Sequence, residues 1–349
     1  MKTKDEMKLA TRIFRISVAV CLAAVAASTA AFYLSQRGSA VVHDTDLYLP
    51  TGADYATLLD SLGRSGEKIR QMPKFRNHAL LAGLHKGVHP GRYRLKEGMS
   101  YGEVIAMLRQ GHQTPVRVTF NNIRTLPQLA GAVARQLEPD SASLAALFTS
   151  DSAAAAYGFA PAEFLGMFVP NTYEFYWNTS PAGFLARMKK EYDRFWDRER
   201  RALLDSVGLS RTEAVTLASI VYEETKMSDE MPTVAGVYMN RLRIGMPLQA
   251  DPTVKFAVGD FTLRRILNRH LTVDSPYNTY KHTGLPPGPI CMPSIRAVDA
   301  VLNYRHHKYL YFCAKPDFSG YHVFSATLAG HNRNAQAYAR ALNEAKIYR

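Results

Sequence analysis

Cysteine is scarce: only Cys21, Cys291 and Cys313 occur in 349 residues. A disulfide framework of the kind that staples small secreted domains is therefore excluded. Cys291 and Cys313 can pair in an oxidising compartment or stay as two buried thiols, and the sequence leaves both open. No zinc-type spacing of cysteine and histidine accompanies them, so neither a metal nor a cofactor is expected. Also missing is any repeat with a period of about 20 to 50 residues, and the only biased tract is an alanine-rich leader. Solenoids and propellers are thereby set aside. A 47% hydrophobic content suffices for a large core, and the length suits more than one domain at roughly 100 to 200 residues each.

Long apolar runs are absent but for one. From Ile16 to Leu34 no charge interrupts the chain, close to the roughly 20 residues that a helix needs to cross a bilayer. Lys2, Lys4, Lys8, Arg12 and Arg15 precede it against Asp5 and Glu6, whereas the charges after Arg37 are Asp44, Asp46, Asp54 and Asp60. The positive-inside rule then keeps residues 1–37 as a cytoplasmic tail and single-pass helix in the inner membrane, with the rest exported to the periplasm. A cleaved signal peptide is the alternative, since the run holds small triplets such as Ala24-Val25-Ala26. The run is longer than the roughly 7 to 15 residues of a signal core, which favours a retained anchor. Acid is the minority charge, 30 Asp and Glu against 43 Lys and Arg. Most of the excess lies beyond the leader, and a basic surface suits an anionic cell envelope. Nucleic acid is not expected as a partner, given the export signal and the lack of any helix-turn-helix, zinc-finger or RNA-binding signature.

Past the leader, Val41 to Pro50 reads as a strand and turn, Tyr55 to Leu62 and Pro73 to Leu84 as helices, and Gly91 to Leu95 as a strand. Ser100 caps a further helix that Gly111 stops. Residues 41–117 thus form a small strand-helix-helix-strand-helix unit. Val116 to Phe120 is another strand, and Leu126 to Leu137 an amphipathic helix. Residues 160–180 are rich in aromatics, among them Phe164, Phe168, Tyr173, Phe175, Tyr176 and Trp177. These suit either a core or the wall of a carbohydrate cleft, because sugar C–H faces stack on aromatic planes.

Chemistry concentrates between Leu209 and Thr225. Ser210 and Glu213 make a capping box that starts a helix. At about 100° per residue, Ala214, Leu217, Ile220 and Val221 share a face with Glu224 at its centre, whereas Glu223 falls with Thr212, Thr216 and Ser219 on what reads as a solvated face. A carboxyl emerging from an apolar face is desolvated, which raises its pKa toward that of a general acid at neutral pH. The same placement also suits a buried ion pair, and periodicity alone does not separate the two.

Leu217-Ala-Ser-Ile-Val-Tyr-Glu-Glu-Thr225, Val237 to Thr253, Ser275-Pro-Tyr-Asn-Thr-Tyr280, Gly284-Leu-Pro-Pro-Gly-Pro-Ile290, Tyr309-Leu-Tyr-Phe312, His322-Val-Phe324 and His331-Asn332 occur in one order. Together they resemble the endolytic murein transglycosylases of the MltG or YceG-like family. The resemblance runs from the anchor to the C-terminus. It implies an α+β protein in which a transmembrane helix precedes a small LysM-like module (41–117) and a larger mixed α/β catalytic domain (118–349). It makes Glu224, immediately before Thr225, the catalytic residue. It also implies that Gln249, Asp251, Thr253, Tyr277, Asn278 and Thr279 line the cleft, although Asp251-Pro252 equally reads as a turn start. Gly284, Pro286, Pro287 and Gly288 would shape a rigid cleft loop. His322 would support the site or simply be a satisfied strand histidine. The chain departs from the common pattern at Leu165, Asn171 and Tyr222, where the family often carries acids, which weakens any mechanism needing a second carboxylate there.

The resemblance implies lytic cleavage of MurNAc-GlcNAc linkages in nascent glycan strands, leaving 1,6-anhydroMurNAc ends and terminating elongation. Glycan strands and the membrane are the expected partners, with peptidoglycan synthases as further candidates. Two alternatives stand beside it: a lysozyme-type hydrolase, which needs two carboxylates, and a non-catalytic peptidoglycan-binding scaffold.

Overall fold

A computed structural model describes residues 4–64, 68–263 and 265–346. Lys2, one of the cations counted ahead of the apolar run, lies outside them. The chain is of mixed helix and sheet, and its contacts divide it into two units, Met1–Val116 with Glu174–Asn178, and Arg117–Tyr173 with Thr179–Arg349.

In the first unit, α1 (Lys4–Gln36) contains the one helix among the described residues that is long and apolar enough to cross a membrane, Thr11–Gln36. Leu22, Val25 and Leu34 on it are exposed. The chain then enters the core at once: Ser39 bridges Ser100, and Ala40 and Val41 are fully buried. β1 (Thr45–Leu49) pairs antiparallel with β2 (Gly91–Leu95), Leu47 opposite Tyr93. Alternation sends Leu47, Leu49, Tyr93 and Leu95 inward. On the other face Arg92 pairs with Asp46 at 2.9 Å, and Arg94 reaches Asp44 and Asp46. Between the strands lie α2 (Tyr55–Gly63), capped by Asp54 at the Thr57 amide, and α3 (Met72–Leu81). After them comes α4 (Tyr101–Gln110), whose Ser100–Glu103 capping box and left-handed Gly111 mark its ends. Leu58, Leu62, Phe75, Val104 and Leu108 fill the space they enclose. This is the element order that local signals in residues 41–117 predict.

The second unit is mostly helical. β3 (Val116–Phe120) and β4 (Asn171–Phe175), most of whose residues belong to this unit, form a two-stranded sheet. Between them run α5 (Leu126–Ala134), α6 (Ser141–Phe148), α7 (Asp151–Ala156) and a 3₁₀ turn, Pro161–Met167. Phe148 and Phe168 stack on Phe184, and Phe164 meets Phe168 edge-on, with ring centroids 5.5 to 6.4 Å apart. Phe164, Phe168 and Tyr173 are buried, so this part of the aromatic segment is core.

Next follow α8 (Pro181–Phe195), α9 (Arg198–Val207), α10 (Arg211–Glu224), α11 (Met231–Arg243), α12 (Asp251–Val258), the single turn α13 (Asn268–Leu271) and α14 (Ile295–Leu302). A hairpin of β5 (Tyr311–Ala314) and β6 (His322–Ser325) and the helix α15 (Leu328–Glu344) complete it. α10 is central and packs on α11, α12 and α14. Every residue from Ala214 to Val221 is buried. The solvated face expected for Thr216 and Ser219 is therefore absent: both are at most 3% exposed. Burial of Ser219 is tolerated because its hydroxyl is satisfied inside. Ser219 Oγ donates to Thr216 O at 2.7 Å and accepts the Ile290 amide at 3.0 Å. That second bond ties the proline-rich loop to the helix. Gly288 lies in this loop so close to the 3₁₀ turn that a Cβ would sit 2.0 Å from Ala162 O, so only glycine fits.

Candidate active site

The capping box at Ser210–Glu213 starts α10 and Thr225 ends it in extended backbone, which leaves Glu224 as its last residue. The turn that follows is clamped. The Thr225 hydroxyl accepts the Met227 amide at 3.0 Å and donates to Glu230 Oε2 at 3.1 Å. Buried Glu230 in turn meets His322 Nδ1 at 2.7 Å and accepts the His322 amide at 2.8 Å. His322 therefore belongs to the clamp that holds the end of α10 and does not itself line the cavity.

Half-buried Glu224 opens on a cavity of about 320 Å³, shared with Tyr238, Arg241, Gln249, Asp251, Tyr280, Tyr311, Phe312 and His331. Tyr238, on α11, donates a 2.6 Å hydrogen bond to Glu224 Oε1. Tyr280 donates another of 2.6 Å to Asp251 Oδ1. Arg241 is spent on backbone, with Nε to Leu310 O at 2.7 Å and Nη1 to Leu248 O at 2.6 Å, and its guanidinium lies 5.4 Å over the Tyr311 ring. The ring of His331 stacks on Tyr311 at 5.5 Å. Aromatic faces thus surround a carboxyl, which suits a ligand with apolar C–H faces and polar edges. No group of His, Cys, Asp and Glu among the described residues is arranged to hold a metal ion.

Burial pushes the Glu224 carboxyl up to about 7. The Tyr238 hydrogen bond and the Arg241 charge oppose the rise, whereas the Asp251 charge adds to it. Burial followed by the Glu224 charge drives the Tyr238 hydroxyl well above its ordinary range, so it stays a donor. Tyr280 is raised likewise, by burial and by its bond to Asp251. Near neutral pH, Glu224 can therefore both give and take a proton.

Glu223 faces elsewhere. Its carboxylate pairs with Arg124 at 2.8 Å, and the side chain is 13% exposed. The face expected to be solvated thus carries a largely buried ion pair, because α10 is covered on all sides. Of the sequence-predicted cleft residues, Gln249 and Asp251 line the cavity. Gln249 has a left-handed backbone, φ 49°, and its backbone N–H donates a hydrogen bond to Thr279 O at 3.0 Å. Such a conformation in a non-glycine residue is a local strain often found at functional sites. Thr253, Asn278 and Thr279 are buried and bonded internally. The Thr253 and Thr279 hydroxyls meet at 2.8 Å, and Asn278 Nδ2 donates to Leu271 O and Val273 O. Tyr277 packs on Phe256 at 4.7 Å. These four shape the backbone that carries Gln249, Asp251 and Tyr280. Leu165 is core, and Cys291 and Cys313 are free thiols.

The profile of the YceG-like family matches residues 47–337. This chain belongs to the YceG-like family. It is 28% identical to an "Endolytic murein transglycosylase" of Bacillus subtilis (strain 168) over 318 residues, 86% of either chain. A protein of the same name from Streptococcus pneumoniae serotype 2 is 30% identical over 161 residues, 45% of this chain and 28% of that one. Among solved structures, a crystal structure of a YceG-like protein from Listeria monocytogenes covers 84% of this chain and 99% of its own, with a TM-score of 0.56 at 26% identity.

In this YceG-like chain the polar partners that the sequence did not single out are Tyr238, Arg241 and Tyr280. Tyr238 and Arg241 stand three apart on α11, one helical step that puts both on the same face. That spacing was the available signal. Nothing local pointed to Tyr280, whose partner lies 29 positions away.

Proposed function

We propose that this chain is a membrane-anchored murein transglycosylase in which Glu224 is the sole acid/base catalyst. The supporting observation is Glu224 itself: a carboxyl at the family position, raised to about 7 and facing an aromatic-walled cavity. Its proton goes first to the glycosidic oxygen leaving C1 of MurNAc, while the substrate's own N-acetyl carbonyl stabilises the oxocarbenium that develops. The carboxylate so formed takes the proton of the C6 hydroxyl as that oxygen closes on C1. The bond from C1 to the leaving oxygen breaks, the O6–C1 bond forms, and a 1,6-anhydroMurNAc end remains without water being consumed. Tyr238 holds the carboxyl in place through both transfers.

In this reading residues 1–37 anchor the chain with the folded part on the periplasmic side, and 41–117 form a LysM-like module that grips glycan. Residues 118–349 form the catalytic domain. Cutting nascent strands would terminate their elongation, which makes peptidoglycan synthases natural neighbours. Asp251 in the same cavity favours one second reading, a hydrolase that uses two carboxylates. Mass spectrometry of fragments released from purified glycan strands decides between them. Anhydro ends that vanish in Glu224→Gln are the expected result. Reducing ends lost in Asp251→Asn would replace the proposal with hydrolysis, and binding without cleavage would replace it with a scaffold.

A further inference from the structure

We infer that the C-terminal end of α3 is a second membrane contact, seated on the surface of the bilayer that α1 crosses. The inference rests on α1 spanning a membrane. α3 lies against the last turns of α1 and runs the opposite way. A Cβ on Gly38 would sit 3.6 Å from Lys74 Nζ, which places Lys74 beside residue 38. One turn further along α3, His78 Nε2 meets Ser35 Oγ at 2.9 Å, and its ring lies 4.8 Å from that of Phe32. From Lys74 to His78, then, α3 travels back along α1 toward its apolar part. The next step on that stripe is Leu81, three positions beyond His78.

Leu81 is 72% exposed and its neighbour Leu80 is 47% exposed, at the end of a helix whose Phe75 and Ala79 are buried. Two adjacent leucines left in water cost free energy, whereas the acyl-headgroup boundary would cover them. The flanking residues suit such a surface. Arg76 on α3, Lys86 just after it and Arg109 on α4 are exposed cations, suited to phosphate headgroups. Tyr33, 58% exposed on α1 with Arg37 4.8 Å over its ring, is the amphipathic aromatic that interfaces favour. The partner is a phospholipid surface, reached by the same helix that already enters it.

The test places tryptophan at Leu81, and separately at Leu80, in the full chain reconstituted into nanodiscs with ordinary or brominated acyl chains. Val20→Trp, inside α1, reports whether the helix spans. The emission added over that of Trp177 and Trp196 should fall by about twofold or more in brominated lipid for Val20→Trp and for at least one of the α3 variants. If only Val20→Trp is quenched, the α3 contact is wrong. A blue-shifted but unquenched signal there would point to a second copy of the chain covering the leucines. If none is quenched, the span itself fails.

Discussion

At the scale of single residues, the catalytic reading turns on one hydroxyl and one carboxyl group, those of Tyr238 and Glu224, 2.6 Å apart. Glu224→Gln keeps the shape of the side chain but can neither donate the first proton nor accept the second. Glycan cleavage should drop by about 10²-fold to 10⁴-fold or more in a turnover assay. Glu223→Gln should keep most activity per folded molecule, although it leaves Arg124 without its carboxylate. Tyr238→Phe tests the pairing from the other side. The Tyr238 hydrogen bond favours the charged carboxylate and so holds the Glu224 pKa down. Its removal should move the alkaline fall of kcat/KM to higher pH, and an unmoved limb would detach Tyr238 from the catalyst. Periodicity set Glu224 among apolar neighbours on α10 but did not separate an acid from a buried ion pair, and it was the resemblance to the family that singled the residue out. Tyr280 and the His322 arm of the clamp were not legible, because their partners Asp251 and Glu230 lie 29 and 92 positions away, and Tyr238 meets Glu224 only once α11 has folded back on α10.

At the scale of elements, legibility follows the range of the signal. Ser100 with Glu103, Gly111, Asp54 and Ser210 with Glu213 are caps that act within one turn, and α2, α4 and α10 begin or end where those caps stand. β1 and β2 show their inward faces by simple alternation. The full burial of α10 could not be read this way, since it is set by α14 and the loop before it. The same loop supplies an element-level prediction. Gly288→Ala forces a Cβ against Ala162 O, and overpacking of this kind typically costs about 1 to 3 kcal/mol. Thermal or denaturant unfolding should show that loss. Because Ile290 is tied to Ser219 on α10, the helix that carries Glu224, activity should fall as well if Glu224 is the acid proposed above.

At the scale of the whole molecule, the raised carboxyl makes stability depend on pH. A folded chain that holds the Glu224 proton up to about pH 7, against an ordinary value of 4.5, binds more protons than the unfolded chain in that window. Stability contributed at this position is therefore greatest below about pH 4.5, declines as pH rises to about 7, and then levels. The gap corresponds to roughly 3 kcal/mol at about 1.4 kcal/mol per pH unit. Glu224→Gln should accordingly unfold later than the native chain at pH 8 by about 2 to 3 kcal/mol, and no later at pH 4, as read by denaturant titration.

The junction after α1 has a consequence for where such a molecule can work. Ser39 already bridges Ser100, and Ala40 and Val41 are fully buried, so almost no slack separates α1 from the folded residues that follow it. A long flexible leash would let those residues sweep a volume whose radius grows with roughly the square root of its length. Here the leash is close to nil. In a bilayer those residues would ride at a fixed height and search in two dimensions, meeting only those strands that come within their own depth of the lipid.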